Sequence, residues 1–171
     1  MKQLLLFIFF FFIGFSCHAQ DVFDVARKGT ATQMTVIWET NPEQLTTTNA
    51  DGYSPIILAA YHSNFHVVKF LVEKKVPLND SSKYGSPLMA ATVKGSLEIV
   101  NFLLDNGANP NMVDANGTSA LLYASLFQLN DIAKTLLAHE ANVSLKDNRG
   151  NTAMDYATMT NNNILINLLK K

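Results

Sequence analysis

"GTSALLYASLFQLNDIAKTLLAHEANVSLKDNRGNTAMDYA" occupies residues 117–157 and nearly repeats itself. Gly-Thr-Ser-Ala-Leu opens at Gly117, and Gly-Asn-Thr-Ala-Met opens 33 residues later at Gly150. The same register extends outward. Pro55, Pro87, Ala120 and Ala153 are equivalent, at spacings of 32, 33 and 33. Four positions on, every copy has alanine: Ala59, Ala91, Ala124 and Ala157. Sixteen positions on, every copy has leucine: Leu71, Leu103, Leu136 and Leu169. A fixed period near 33 marks an array in which each unit buries its apolar face against the next.

The chemistry of one copy predicts its shape. "DANGTSALLYA", residues 114–124, begins with a turn. Asp114 can accept backbone hydrogen bonds there, and Asn49, Ser81 and Asp147 take the same place. Ser54, Ser86, Ser119 and Thr152 are natural N-caps, and Pro55 and Pro87 follow at the first helical position. A short helix whose alanines admit a close neighbour comes next. A second helix follows a turn at Gly95. In "LEIVNFLL", residues 97–104, Leu97, Val100, Leu103 and Leu104 share one apolar face. Gly107 then ends that helix as a left-handed C-cap.

The chain resembles the ankyrin repeat family. The family pattern Gly-x-Thr-Pro-Leu-His-x-Ala-Ala, then Val-x-x-Leu-Leu, then Gly-Ala-x-x-Asn is met by "GYSPIILAA", "VKFLV", "GSPLMAA", "VNFLL" and "GANPN". The resemblance implies an all-α solenoid of stacked helix–turn–helix units with projecting β-hairpin-like turns. It divides residues 20–171 into a capping repeat at 20–48, repeats at 49–80, 81–113 and 114–146, and a second cap at 147–171. In the first cap, helices are expected near residues 22–28 and 31–39. Three departures stand out. The family's His is replaced by Ile57, Met89, Leu122 and Asp155. Lys75 and Glu140 stand where Gly107 does, so strained C-caps are expected. One residue is missing near Lys83-Tyr84-Gly85, so that hairpin tip should differ from the others.

The N-terminus has a different composition. Lys2 precedes an unbroken apolar run over residues 4–15. Those residues would rise about 18 Å as a helix, too short for a hydrocarbon core of about 30 Å. Cys17 and Ala19 suit the −3 and −1 positions of signal peptidase, so residues 1–19 are expected to be a signal peptide cut before Gln20. Lipidation of Cys17 fits less well, because Gly14 and Phe15 stand where a lipoprotein box has Leu and a small residue. The expected location is therefore periplasmic or secreted, with no membrane span and no cysteine left for a disulfide.

Catalytic signatures are missing. No Gly-x-Ser-x-Gly and no phosphate-binding Gly-rich loop occurs. His62 and His66 are four apart but fall on two different helices, so no metal pair is expected. His139 should cap helix carbonyls. A formal charge of −1 offers no basic field for nucleic acid. No enzyme activity and no cofactor are expected, and the protein should be monomeric.

The resemblance implies instead a binding face made of turn tips and first helices. Tyr53, Lys83, Tyr84 and Arg149 map to the tips, and Tyr61, Val93, Leu126 and Phe127 to the helices, with Thr118 and Met159 on the same face. The expected function is an exported adaptor or inhibitor that binds a protein partner there, with the groove centred on the third and fourth repeats. The alternative is a passive protective or structural envelope protein that stabilises a neighbouring enzyme.

Overall fold

The computed structural model describes residues 21–80, 82 and 85–170. Ten α-helices run in chain order among them: α1 (Val22–Lys28), α2 (Ala31–Thr40), α3 (Pro55–Tyr61), α4 (Phe65–Glu73), α5 (Pro87–Lys94), α6 (Leu97–Asp105), α7 (Ala120–Leu126), α8 (Asn130–Ala138), α9 (Ala153–Met159) and α10 (Asn163–Leu169). A 3-10 helix at Pro42–Thr46 joins the first pair to the second. The odd-numbered helices form one layer, α1 on α3 on α5 on α7 on α9. The even-numbered helices form a second layer, each packed against its own odd partner and against its even neighbours. The fold is an all-α repeat solenoid, as the period requires.

Local chemistry sets the helix starts. Ser86 and Ser119 accept the N–H of Met89 and Leu122, the cap bond that such side chains supply for about 1 kcal/mol. Thr152 and Asp155 form a reciprocal capping box, so the carboxylate at the family's His position closes the helix entry of its own repeat. The other three His replacements, Ile57, Met89 and Leu122, are buried core side chains. Ser54 is an exception: it occupies the N-cap of α3, but its side chain makes no cap bond. Asp21 caps α1 through the N–H of Phe23.

Two helix layers meet over small side chains. Ala26, Ala59, Ala91, Ala124 and Ala157 are all fully buried in the odd layer. Leu71, Leu103 and Leu136 are fully buried in the even layer, and Leu169 nearly so. Asparagines clip neighbouring loops together. Asn79 donates to the Gly107 carbonyl at 3.3 Å and accepts from the Asn109 N–H at 2.8 Å. Asn111 repeats this one unit on, with the Glu140 carbonyl at 3.2 Å and the Asn142 N–H at 2.7 Å.

The C-caps take the expected left-handed turn without always having glycine. Lys75 has φ +59° and Glu140 φ +64°, matching Gly107 at +90°. That conformation costs an L-residue about 1–2 kcal/mol. His139 sits beside the second of these turns, with Nδ1 3.0 Å from the Thr135 carbonyl and Nε2 3.4 Å from Asp105 of the preceding unit.

The third hairpin corrects one expected equivalence. Asn49, Asp114 and Asp147 each take the N–H of the residue three positions on through their own carbonyl. In the third unit Ser82 makes that bond, with Gly85. The missing residue therefore follows Gly85, at the place of Tyr53, Thr118 and Asn151. Gly85 has φ +96°, and a Cβ there would lie 2.5 Å from the Met89 sulfur. Gly85 thus lies directly against Met89 of α5.

Because Leu103 is buried between even helices, Leu103→Ala is expected to cost about 2–5 kcal/mol through lost burial and a cavity. Lys170, on the exposed side of the last unit, should tolerate Ala within about 0.5 kcal/mol. Urea melts of the two variants check this, and equal effects would refute the assigned register.

Candidate functional site: a groove along the odd helices

The seventh residue of each odd helix from α3 to α9 is exposed. Tyr61, Val93, Leu126 and Met159 stand there, 32, 33 and 33 residues apart, with exposures of 47%, 36%, 40% and 64%. One register position therefore presents an apolar side chain four times along the same face. Phe127, the C-cap of α7, widens the line and is 48% exposed. Formal charge is sparse on this layer: from α3 to α9 the odd helices contain only Lys94 and Asp155.

Beside this line, between α3 and α5, lies a cavity of about 400 Å³. Tyr53, Tyr61 and Val93 line it, together with His62, Ala90 and Tyr123. This cavity lies one unit before the expected groove centre, and its setting is local. Ala90 occupies the register position that holds Leu58, Tyr123 and Tyr156 in the other units. The same unit lacks the residue after Gly85. The methyl of Ala90 leaves more room at that position than the larger side chains do.

The other expected contact residues are spread along the face. Phe127 reaches the cavity wall indirectly: its ring stacks on Tyr123 at 6.1 Å with the planes 6° apart. Leu126 belongs to the exposed line but does not line the cavity. Arg149 is an exposed hairpin-tip residue two units from the cavity, and its backbone N–H is held by Asp147. Thr118 is buried and contributes little surface. Lys83 and Tyr84 lie outside the described residues. His62 caps α3 and His66 is the second residue of α4, both exposed. Among the described residues no group of three or more metal-ligating side chains forms.

Tyr123 and Tyr156 mark a device that the residue-by-residue reading missed. Asp114 accepts the N–H groups of Asn116 and Thr118 through Oδ1, and the Tyr123 hydroxyl through Oδ2 at 2.6 Å. Asp147 does the same with Arg149, Asn151 and the Tyr156 hydroxyl. Turn formation alone does not explain these aspartates: each also ties its hairpin to its odd helix. The signal was present as Asp and Tyr nine apart in both units, against Asn49 with Leu58 earlier.

Burial and the hydrogen bond to Asp114 push the Tyr123 phenol up to about 12. The bond to Asp147 raises Tyr156, and the same bond holds Asp147 below the usual carboxylate range. A phenol raised above its unfolded value keeps its proton longer in the folded state. Its stabilisation is complete below pH 10 and is lost as pH rises toward about 12. Melting temperature should therefore fall across that window, and Tyr123→Phe should make the fall shallower. Thermal melts at stepped pH check this, and an identical slope in the variant would refute the assignment.

The profile of the family "Ankyrin repeats (3 copies)" matches residues 23–114 and 106–171. The chain is 34% identical over 113 residues to "Ankyrin repeat and SAM domain-containing protein 6" of Rattus norvegicus, covering 65% of this chain and 12% of that protein. It is 32% identical over 75 residues to "Putative ankyrin repeat protein R664" of Acanthamoeba polyphaga mimivirus, covering 43% of this chain and 46% of that protein. Over 67 residues it is 36% identical to "Alpha-latrotoxin-Lh1a" of Latrodectus hasselti, covering 39% of this chain and 5% of that one. The matched stretch is thus less than two thirds of each relative. Both the hydrogen-bonded turn geometry and these matches place the chain in the ankyrin repeat family.

Proposed function

We propose that this protein is an exported, non-catalytic interaction module, an adaptor or inhibitor whose concave face binds one protein partner. The observation that supports it is the exposed apolar line Tyr61–Val93–Leu126–Met159. The fold asks for no apolar side chain at that position, because each one stands in water. A partner does, since covering apolar surface releases about 25 cal/mol per Å². Membership of a family that generally mediates protein–protein interaction supports the same reading. The low formal charge favours a protein over a nucleic acid as the partner.

Among the described residues no helix is long and apolar enough to cross a membrane. Export rests on the composition of residues 1–19. Mass spectrometry of the exported protein should find a chain that begins at Gln20 without lipid. A diacylglyceryl group on Cys17 would overturn that and put the array on a membrane surface.

Phe127 separates binding from folding. Its ring is half exposed and packs on one neighbour, so Phe127→Ala should change the melting temperature little. Capture of the partner from an envelope fraction should weaken by about 2 kcal/mol, the scale of an interface hot spot. A thermal melt paired with a pull-down titration checks both. Unfolding would assign the ring to the core, and unchanged capture would move the partner elsewhere. Recovery of no stoichiometric partner by the unaltered protein would favour the passive protective role.

A further inference from the structure

The cavity beside Ala90 has features that the exposed line alone does not. Its volume, about 400 Å³, is within the range that holds a small ring system. Tyr53, Tyr61 and Tyr123 supply aromatic walls, and Ala90 forms part of the floor. Among the described residues that line it there is no Asp, Glu, Lys or Arg. A charged occupant would be desolvated without a counter-charge, which is costly. A neutral aromatic ring fits, and the exposed lining residues His62 and Tyr61 have an imidazole and a hydroxyl that can accept a hydrogen bond from an indole N–H or a phenol.

Continuity decides between a free ring and one attached to a chain. Tyr61 and Val93 belong both to the cavity wall and to the exposed line, which continues to Leu126 and Met159. A free ring would leave those two side chains in water. Neighbouring helices pack about 8–10 Å apart, and a polyproline-II segment advances about 9.3 Å in three residues. An extended chain of that form returns a side chain to the line once per repeat.

We infer that the Ala90 cavity receives one aromatic side chain of an extended, uncharged segment of the protein partner, with apolar residues at every third position lying along Val93, Leu126 and Met159. This rests on the concave-face reading and specifies its partner.

Two probes test it on the full-length chain by amide NMR: N-acetyl-tryptophanamide, and short uncharged Ser/Gly peptides with one Trp and Leu three and six positions to either side of it. Both are expected to give saturable shifts at Ala90, Val93 and Tyr123. The better peptide should bind about tenfold tighter or more than the blocked amino acid. Ala90→Leu, which restores the bulk of Leu58, should weaken both by about tenfold or more. Val93→Lys, at the exposed rim, should do the same without altering the packed core. Leu126→Asp should erase only the peptide's advantage. Shifts elsewhere, or binding undiminished by both Ala90→Leu and Val93→Lys, overturn the inference. A peptide no tighter than the blocked amino acid would make the cavity a small-molecule site and overturn it equally. Partner capture that is lost in Phe127→Ala but kept in Ala90→Leu removes the cavity from the interface and leaves the concave-face reading standing.

Discussion

Five alanines hold this array in register. Ala26, Ala59, Ala91, Ala124 and Ala157 sit at one position of successive odd helices, and none has any exposed surface. A helix can approach its neighbour only as closely as the side chains between them permit. A methyl group at each contact sets a short spacing and leaves little room for variation. The consequences run outward from there. The even helices must then meet over Leu71, Leu103, Leu136 and Leu169, and the loops come close enough for Asn79 and Asn111 to span two units. Stability in such a stack is a sum of neighbour contacts, since distant units never touch.

The units are not equivalent, and the differences are ordered along the chain. The last two have the Asp–Tyr pair that ties hairpin to helix. Their tips also touch, through the Asn148 N–H on the Asn116 carbonyl at 2.8 Å. The second and third units have Asn49 with Leu58 and Ser82 with Ala90, neither of which can form the Asp–Tyr bond. In the third, the hairpin is one residue shorter and Gly85 lies against Met89. The cavity opens where bracing is absent. A side chain filling the place of Ala90, as Tyr123 does one unit on, would close it.

Much of this was legible in the sequence because it depends on what each residue is. The alanine and leucine registers predicted the two layers, and the α1 and α2 helices emerged at Val22–Lys28 and Ala31–Thr40 against the expected 22–28 and 31–39. The strained C-caps at Lys75 and Glu140 followed from their alignment with Gly107. The failures depend on what is missing. A one-residue gap can be placed on either side of Gly85 without changing the composition match, and only the Ser82–Gly85 hydrogen bonds decide it. The cavity is a void beside Ala90, between α3 and α5. No single residue announces it, because it depends on Ala90 standing where other units have Leu58, Tyr123 and Tyr156.

The exposed line remains the feature that packing does not explain. A buried apolar position recurs in a repeat because the core requires it at every unit. The seventh position of the odd helices has no such requirement, since Lys28 occupies it in the first unit and is exposed. Yet the next four units place Tyr, Val, Leu and Met there. Their chemistry varies while their apolar character does not. Shape-matched core contacts would constrain volume, because interiors are close-packed. A surface that must only exclude water along one line constrains polarity alone. Single exposed apolar residues are common on any protein, but four at one register position form a contiguous strip rather than a scatter. The variation in size then has its own use: it gives each unit a different contour to present to whatever lies along the groove.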